Sequence, residues 1–285
     1  MKIRLSAFAD EAGVMLQDQI DGLLKNNIHM LEIRTVDGVN IADISEEDAK
    51  KYAKMLSDAG IKVWSIGSPL GKVDIDGDFD FEEYMKTVHH IYKLAHIFDT
   101  KLIRMFSFYK AKNDEDRVVE YLTRMVNDAE KEGLVLCHEN EACIFGETAE
   151  EIEILLRRVP GLEVVFDFCN FVLARQDMDY AMDALLDKTC YFHLKDAVGA
   201  TEKIVPAGYG DGLIPEAIAR LDRDTVFSLE PHLSVLGGAR PFDVKELGAE
   251  FAYPTSRDAF DAACAYTRKL LTENGFTETE DGFVR

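Results

Sequence analysis

The sequence has no run approaching the ~20 apolar residues that a membrane-spanning helix needs. Its first residues, Met1-Lys-Ile-Arg-Leu-Ser, lack the apolar stretch and small-residue cleavage site of a secretory leader. From these two absences we expect a cytoplasmic protein with no membrane partner. No two cysteines stand in CxxC spacing, and the five present (Cys137, Cys143, Cys169, Cys190 and Cys264) are odd in number. That disfavours a disulfide framework or a zinc-thiolate module and leaves reduced packing residues as the expectation. Basic residues are scarce, 32 Lys and Arg against 53 Asp and Glu, a formal net charge of −21. Such a charge repels nucleic-acid phosphates and acidic membrane surfaces. A small anionic substrate is not excluded, because a few local lysines or arginines can reverse the field inside one pocket.

Also missing is any linker rich in proline, glycine or serine. What fills the 285 residues instead is a repeat of short apolar strand patterns, each followed by a helical pattern. Strands are expected at 4–9, 30–34, 62–66, 101–106, 134–137, 162–167, 190–194 and 226–230. The helical stripes between them have legible ends. Ser45 with Asp48 and Thr148 with Glu151 read as capping boxes, while Gly60, Gly133 and Pro160-Gly161 stop helices. Eight β/α units and 47% hydrophobic residues predict a single (β/α)₈ TIM barrel over residues 1–285, an α/β fold, rather than a doubly wound sheet.

Four of the strand patterns end in ionisable groups. Leu134-Val-Leu-Cys-His-Glu-Asn140 delivers Glu139, and residues 162–170 deliver Asp167. Cys190-Tyr-Phe-His-Leu-Lys-Asp196 delivers His193, and Val226-Phe-Ser-Leu-Glu-Pro-His232 delivers Glu230. The intervals 139 to 167, 167 to 193 and 193 to 230 are 28, 26 and 37 residues, close to the ~30-residue βα repeat. The four groups therefore belong at one height, on the carboxyl-terminal rim where barrel enzymes keep their chemistry. A lone strand-end glutamate is usually solvated, and a lone histidine in an apolar strand is usually a packed core residue. Three carboxylates crowded at one barrel mouth, however, repel one another unless a cation sits between them. We read Glu139, Asp167, His193 and Glu230 as ligands of one divalent ion. Three oxygen donors and one imidazole suit Mn²⁺ or Mg²⁺, with Zn²⁺ or Co²⁺ as alternatives.

Other features carry less. The run Gly208-Tyr-Gly-Asp-Gly212 is not GxGxxG and reads as a flexible loop rather than a phosphate cradle. His89, His90 and His96 fall on a helix outside the barrel, and His138 should point away from Glu139 by strand alternation. Asp10, Glu32, Arg34, Trp64, Lys72, Arg104, Lys195 and His232 lie at or just after strand ends. Of these, Glu32, Lys72, Arg104, Lys195 and His232, together with Asn170, are the expected substrate contacts. Segments 197–214 and 231–255, the second with Phe242, Phe251 and Tyr253, are too long for plain connections. A lid or a contact between subunits of a homo-oligomer is expected there.

The segments HENEACIFGETAEE (138–151), VVFDFCN (164–170), YFHLKD (191–196), VPAGYGDG (205–212) and FSLEPH (227–232) together carry a resemblance. They resemble the strand ends of the xylose-isomerase-like TIM-barrel superfamily, in its branch of sugar and sugar-phosphate isomerases and epimerases. The resemblance implies the same four metal ligands, with Glu139 and Glu230 doubling as acid/base catalysts. Two positions depart from it. Asp167-Phe-Cys-Asn170 stands where many members have Asp-x-x-His, and Gly199 stands where ketose epimerases carry an arginine. The endonuclease IV branch needs additional histidines that strands three and four do not offer. The expected function is a metal-dependent isomerase or epimerase of a small sugar or sugar phosphate, working through an enediolate with two glutamates. The alternative is a metal-dependent dehydratase or lyase on a keto-inositol or keto-sugar.

Overall fold

A computed structural model describes residues 1–111, 113–235 and 251–285. Eight parallel strands form its centre: β1 (Lys2–Ala7), β2 (Met30–Ile33), β3 (Lys62–Gly67), β4 (Leu102–Met105), β5 (Val135–Glu139), β6 (Glu163–Asp167), β7 (Thr189–Leu194) and β8 (Thr225–Leu229). Each pairs with the next in sequence, and β8 returns to β1 in the register Ile3↔Thr225 to Ala7↔Leu229, so the sheet is closed. Closure leaves no edge among these eight strands, and burial on both faces explains their nearly continuous apolar character.

The helices α1 (Leu16–Lys25), α2 (Glu46–Asp58), α3 (Phe81–Ile97), α4 (Glu115–Lys131) and α5 (Ala149–Arg158) lie between successive strands. They are followed by α6 (Phe168–Leu173), α7 (Met178–Leu185), α8 (Ile214–Arg220) and α9 (Ser256–Glu273). Both capping signals act as helix starts: Ser45 Oγ accepts from Asp48 N, and α5 begins with a reciprocal Thr148/Glu151 box. The apolar stripes of α1 to α5 pack on the outside of the strands, where Leu23, Leu56, Val88, Leu122 and Leu155 are each buried to within 1%.

Strand alternation then builds the interior in layers. Cys137, Val165, Tyr191 and Val226 form a buried cluster inside the barrel. Two residues further along their strands, on the same face, stand Glu139, Asp167, His193 and Ser228, with Glu230 after that. An apolar floor thus supports a polar layer at the carboxyl-terminal end. At the opposite end a hairpin of Thr277–Thr279 and Gly282–Val284 pairs antiparallel with the start of β1.

Three local features differ from the sequence expectation. A short helix, α6, follows β6 without a loop, and Asp167 is its cap, accepting from Asn170 N at 2.7 Å. The apolar run from Val164 to Leu173 hides this change of period. Glu230 lies one residue beyond β8 rather than within it. Segment 197–214 contains a small hairpin, Asp196–Val198 with Lys203–Val205. Of segment 231–255, Phe242 lies outside the described residues, while Phe251 packs edge-on against Tyr209 and Tyr266.

Candidate metal centre

β5, β6 and β7 are adjacent, and Asp167 is the direct register partner of His193. With Glu230 arriving from β8, one donor atom from each of Glu139, Asp167, His193 and Glu230 falls within 4.8 Å of the others. His193 Nδ1 stands 3.1 Å from Glu139 Oε1, 3.3 Å from Glu230 Oε2 and 3.9 Å from Asp167 Oδ2. Ligands of one ion, each ~2.0–2.5 Å from it, are separated by about these distances. Two further observations fit an ion. His193 Nδ1 is buried without a well-aligned hydrogen bond, and Asp167 Oδ2, also buried, is met by the Lys195 ammonium at 3.0 Å without one, whereas unsatisfied buried polar atoms are uncommon in folded proteins.

The imidazole is fixed from behind. His193 Nε2 lies 3.1 Å from Glu32 Oε2, and Tyr191 donates its hydroxyl to Glu32 Oε1 at 2.7 Å. Ser65 Oγ is 3.1 Å from the same tyrosine hydroxyl. A carboxylate only accepts, so Nε2 carries a proton toward Glu32 and the ring turns Nδ1 toward the cluster. There burial, which lowers the imidazole pKa, is outweighed by Glu139 and Glu32, which raise it well above its ordinary value, and a bound ion would take the place of the Nδ1 proton. Phe8 closes one side of the ring edge-on, with centroids 5.1 Å apart. Glu32, expected among the substrate contacts, is fully buried beneath the imidazole with both oxygens engaged.

Cations surround the carboxylates. Arg104 Nε lies 3.1 Å from Glu139 Oε2, and its Nη1 is anchored on Ser68 O. Lys195 Nζ stands 3.0 Å from Asp167 Oδ2 and 3.3 Å from Glu230 Oε2. Arg34 grips both oxygens of Asp10 at 2.9 Å and reaches Glu230 Oε1 at 2.7 Å, with its guanidinium over the Phe8 ring. Burial alone would raise the Glu139 pKa, but His193 and Arg104 outweigh it and bring it down to about 2. Glu230 is likewise held well below the usual carboxylate range, burial being overcome by Lys195 and His232. Asp167 goes the other way, pushed up to about 7 by burial despite Lys195. The protein charges alone thus leave Asp167 incompletely compensated, and a divalent cation beside it would hold it ionised.

The remaining expected contacts are distributed around this centre. Asn170 Nδ2 donates to Asn140 O at 2.8 Å and to Glu139 Oε1 at 3.3 Å. Lys72 pairs with Glu141 at 2.7 Å above the Phe106 ring. His232 bridges Glu11 at 2.9 Å and Glu230 at 3.3 Å. Glu11, Glu230 and His232 make a second group with ion-sized spacing. There, however, Arg34 already supplies the positive charge, 3.7 Å from Glu11 and 2.7 Å from Glu230. The sequence reading gave no role to Asn140, which clamps β5 to β6 by accepting from Asp167 N and donating to Asp167 O. Its only signal was its place beside Glu139 at a strand end. His138 does point away, toward Ser107 Oγ at 2.7 Å. His89, His90 and His96 lie on the outer helix α3, bonded to Asp128, Ile44 O and Glu132.

Comparison with known proteins decides the family. The family model described as xylose isomerase-like TIM barrel matches residues 25–275. The chain belongs to that family. No curated protein matches the sequence significantly. Among solved structures, the IolI protein with a bound zinc atom superposes with a TM-score of 0.73 at 16% identity, covering 96% of this chain and 99% of that one. The probable 3-DHS dehydratase AsbF from Bacillus anthracis gives 0.70 at 17% identity, over 94% and 99% of the two chains. A D-psicose 3-epimerase solved in the presence of D-fructose gives 0.68 at 17%, over 95% and 99%. At these identities the likeness is one of fold. Within the family the barrel is a frame for enzymes, and no helix among the described residues is long and apolar enough to cross a membrane.

Proposed function

We propose that this protein is a divalent-metal-dependent isomerase or epimerase of a small polyhydroxy carbonyl compound, with Glu139 and Glu230 as its acid/base pair. The observation that carries the reading is the mirrored anchoring of the two glutamates. Arg104 holds Oε2 of Glu139 and Arg34 holds Oε1 of Glu230. Each therefore turns its other oxygen toward the same point beside His193 Nδ1, from strands three apart around the barrel.

A divalent ion held by Glu139, Asp167, His193 and Glu230 would supply a Lewis acid that polarises a bound carbonyl and acidifies the neighbouring C–H. One glutamate removes that proton, and the other returns a proton to the opposite face of the same carbon. Both are held as low-pKa carboxylates, so either can serve as the base near neutral pH, and the one that returns a proton must first take it up from solvent. Arg104 and Arg34 keep them aimed, and Asn170 adds a donor on the Glu139 side. Mn²⁺ or Mg²⁺ suits the oxygen-rich donor set; Zn²⁺ is the ion named for one structural neighbour.

The dehydratase reading keeps the same first step. In it Lys195, a buried ammonium between Asp167 and Glu230, would be the group that meets a departing hydroxyl. One experiment tests both. Metal-loaded protein is incubated in D₂O with a panel of ketoses, inososes and their phosphates and followed by NMR and mass. Deuterium beside the carbonyl in a product of unchanged composition supports the isomerase or epimerase. Loss of one water selects the dehydratase. Exchange with no member of the panel overturns the carbonyl reading altogether.

A further inference from the structure

The glycine-rich stretch after β7 is folded around one carboxylate of the chain itself. Asp196 is fully buried. Its Oδ2 accepts from Gly208 N at 3.0 Å and Gly210 N at 2.9 Å, and its Oδ1 from Gly212 N at 3.0 Å and Ala197 N at 2.9 Å. The glycines are required by this closeness. A Cβ on Gly210 would stand 2.4 Å from both Ala197 O and Asp196 Oδ1, and one on Gly212 would stand 2.8 Å from Asp196 Oδ1. This is the region, after the seventh strand and before a short helix, where (β/α)₈ barrels frequently bind a substrate phosphate through backbone N–H groups. Here those donors converge on Asp196.

Among the described residues, the cationic side chains named around the centre are committed in the same way. Arg34 answers Asp10 and Glu230, Arg104 answers Glu139, Lys195 answers Asp167 and Glu230, Lys72 answers Glu141, and His232 answers Glu11 and Glu230. Three of the answering groups, Asp10, Glu11 and Glu141, are themselves carboxylates at the partly open rim. An anionic group entering among the described residues would have to break an ion pair and then face the carboxylate it left behind.

From these two observations we infer that the substrate is an uncharged polyhydroxy carbonyl compound and that its phosphorylated counterpart is rejected. The inference rests on the metal-dependent carbonyl reading proposed above. Its test is calorimetric titration of the full, Mn²⁺-loaded chain with ribitol and with ribitol 5-phosphate, alongside the exchange assay on a neutral ketose and its phosphate. Ribitol should bind at least about tenfold more tightly than its phosphate, the cost of one unfavourable charge contact. Only the neutral ketose should exchange. Equal or tighter binding of the phosphate, with exchange of the phosphorylated ketose, overturns the inference and leaves the carbonyl reading intact. Binding of neither polyol together with exchange of neither ketose overturns both.

Discussion

Glu32 and His193 meet through a hydrogen bond of 3.1 Å between two side chains with no exposed surface. The bond fixes which imidazole nitrogen faces Glu139, Asp167 and Glu230, and Tyr191 in turn fixes Glu32. A carboxylate behind a ligand histidine both orients the ring and makes it a better donor. Glu32→Gln should therefore weaken Mn²⁺ binding by about tenfold, measured by competition with a metallochromic chelator. Tyr191→Phe should weaken it less, in the same direction. Unchanged affinity in Glu32→Gln would mean that His193 does not ligate through Nδ1.

The two glutamates can be separated by isotope exchange. Glu→Gln keeps a neutral oxygen donor and removes the base. Metal-loaded Glu230→Gln should lose net epimerisation, while one epimer still exchanges its proton through Glu139. Glu139→Gln should show the converse. Metal content must be verified in both variants, since an empty centre would silence both halves together. Loaded variants that retain wild-type turnover would remove these residues as the catalytic pair.

Asp196 should matter more for stability than for chemistry. Asp196→Ala leaves the N–H groups of Gly208, Gly210, Gly212 and Ala197 without their acceptor. Each unsatisfied buried donor costs about 1–3 kcal/mol, less where water can enter. A loss of at least about 2 kcal/mol is expected in urea unfolding. Stability within about 0.5 kcal/mol of wild type would show that the carboxylate does not organise the loop.

The barrel was legible because parallel strands buried on both faces, and helices with caps such as Ser45 and Thr148, leave strong local patterns. The convergence of Glu139, Asp167, His193 and Glu230 was legible for a related reason: a regular βα repeat turns sequence spacing into equal height on the rim. What escaped was set by tertiary contact. Glu32 ends a strand as Glu139 does, and only the three-dimensional neighbourhood of Tyr191 and His193 distinguishes a residue beneath the centre from one within it. Helix α6 begins inside an unbroken apolar run whose period is ambiguous until Asp167 is seen to cap it. The glycines of 208–212 read as freedom, because the carboxylate they enclose comes from 12 to 16 residues earlier in the chain.

The divalent ion is the centre of the proposed chemistry, and its removal is the most direct test. Solvent-deuterium incorporation into a ketose or inosose that the protein processes would be followed before chelation, after exhaustive chelation with metal content verified, and after titration with Mn²⁺ or Mg²⁺. Exchange should disappear in the chelated sample and return in proportion to occupancy, reaching its limit at one ion per chain, while His193→Ala remains folded and fails to recover. Full exchange in verified metal-free protein would contradict a metal-dependent reaction at Glu139, Asp167, His193 and Glu230.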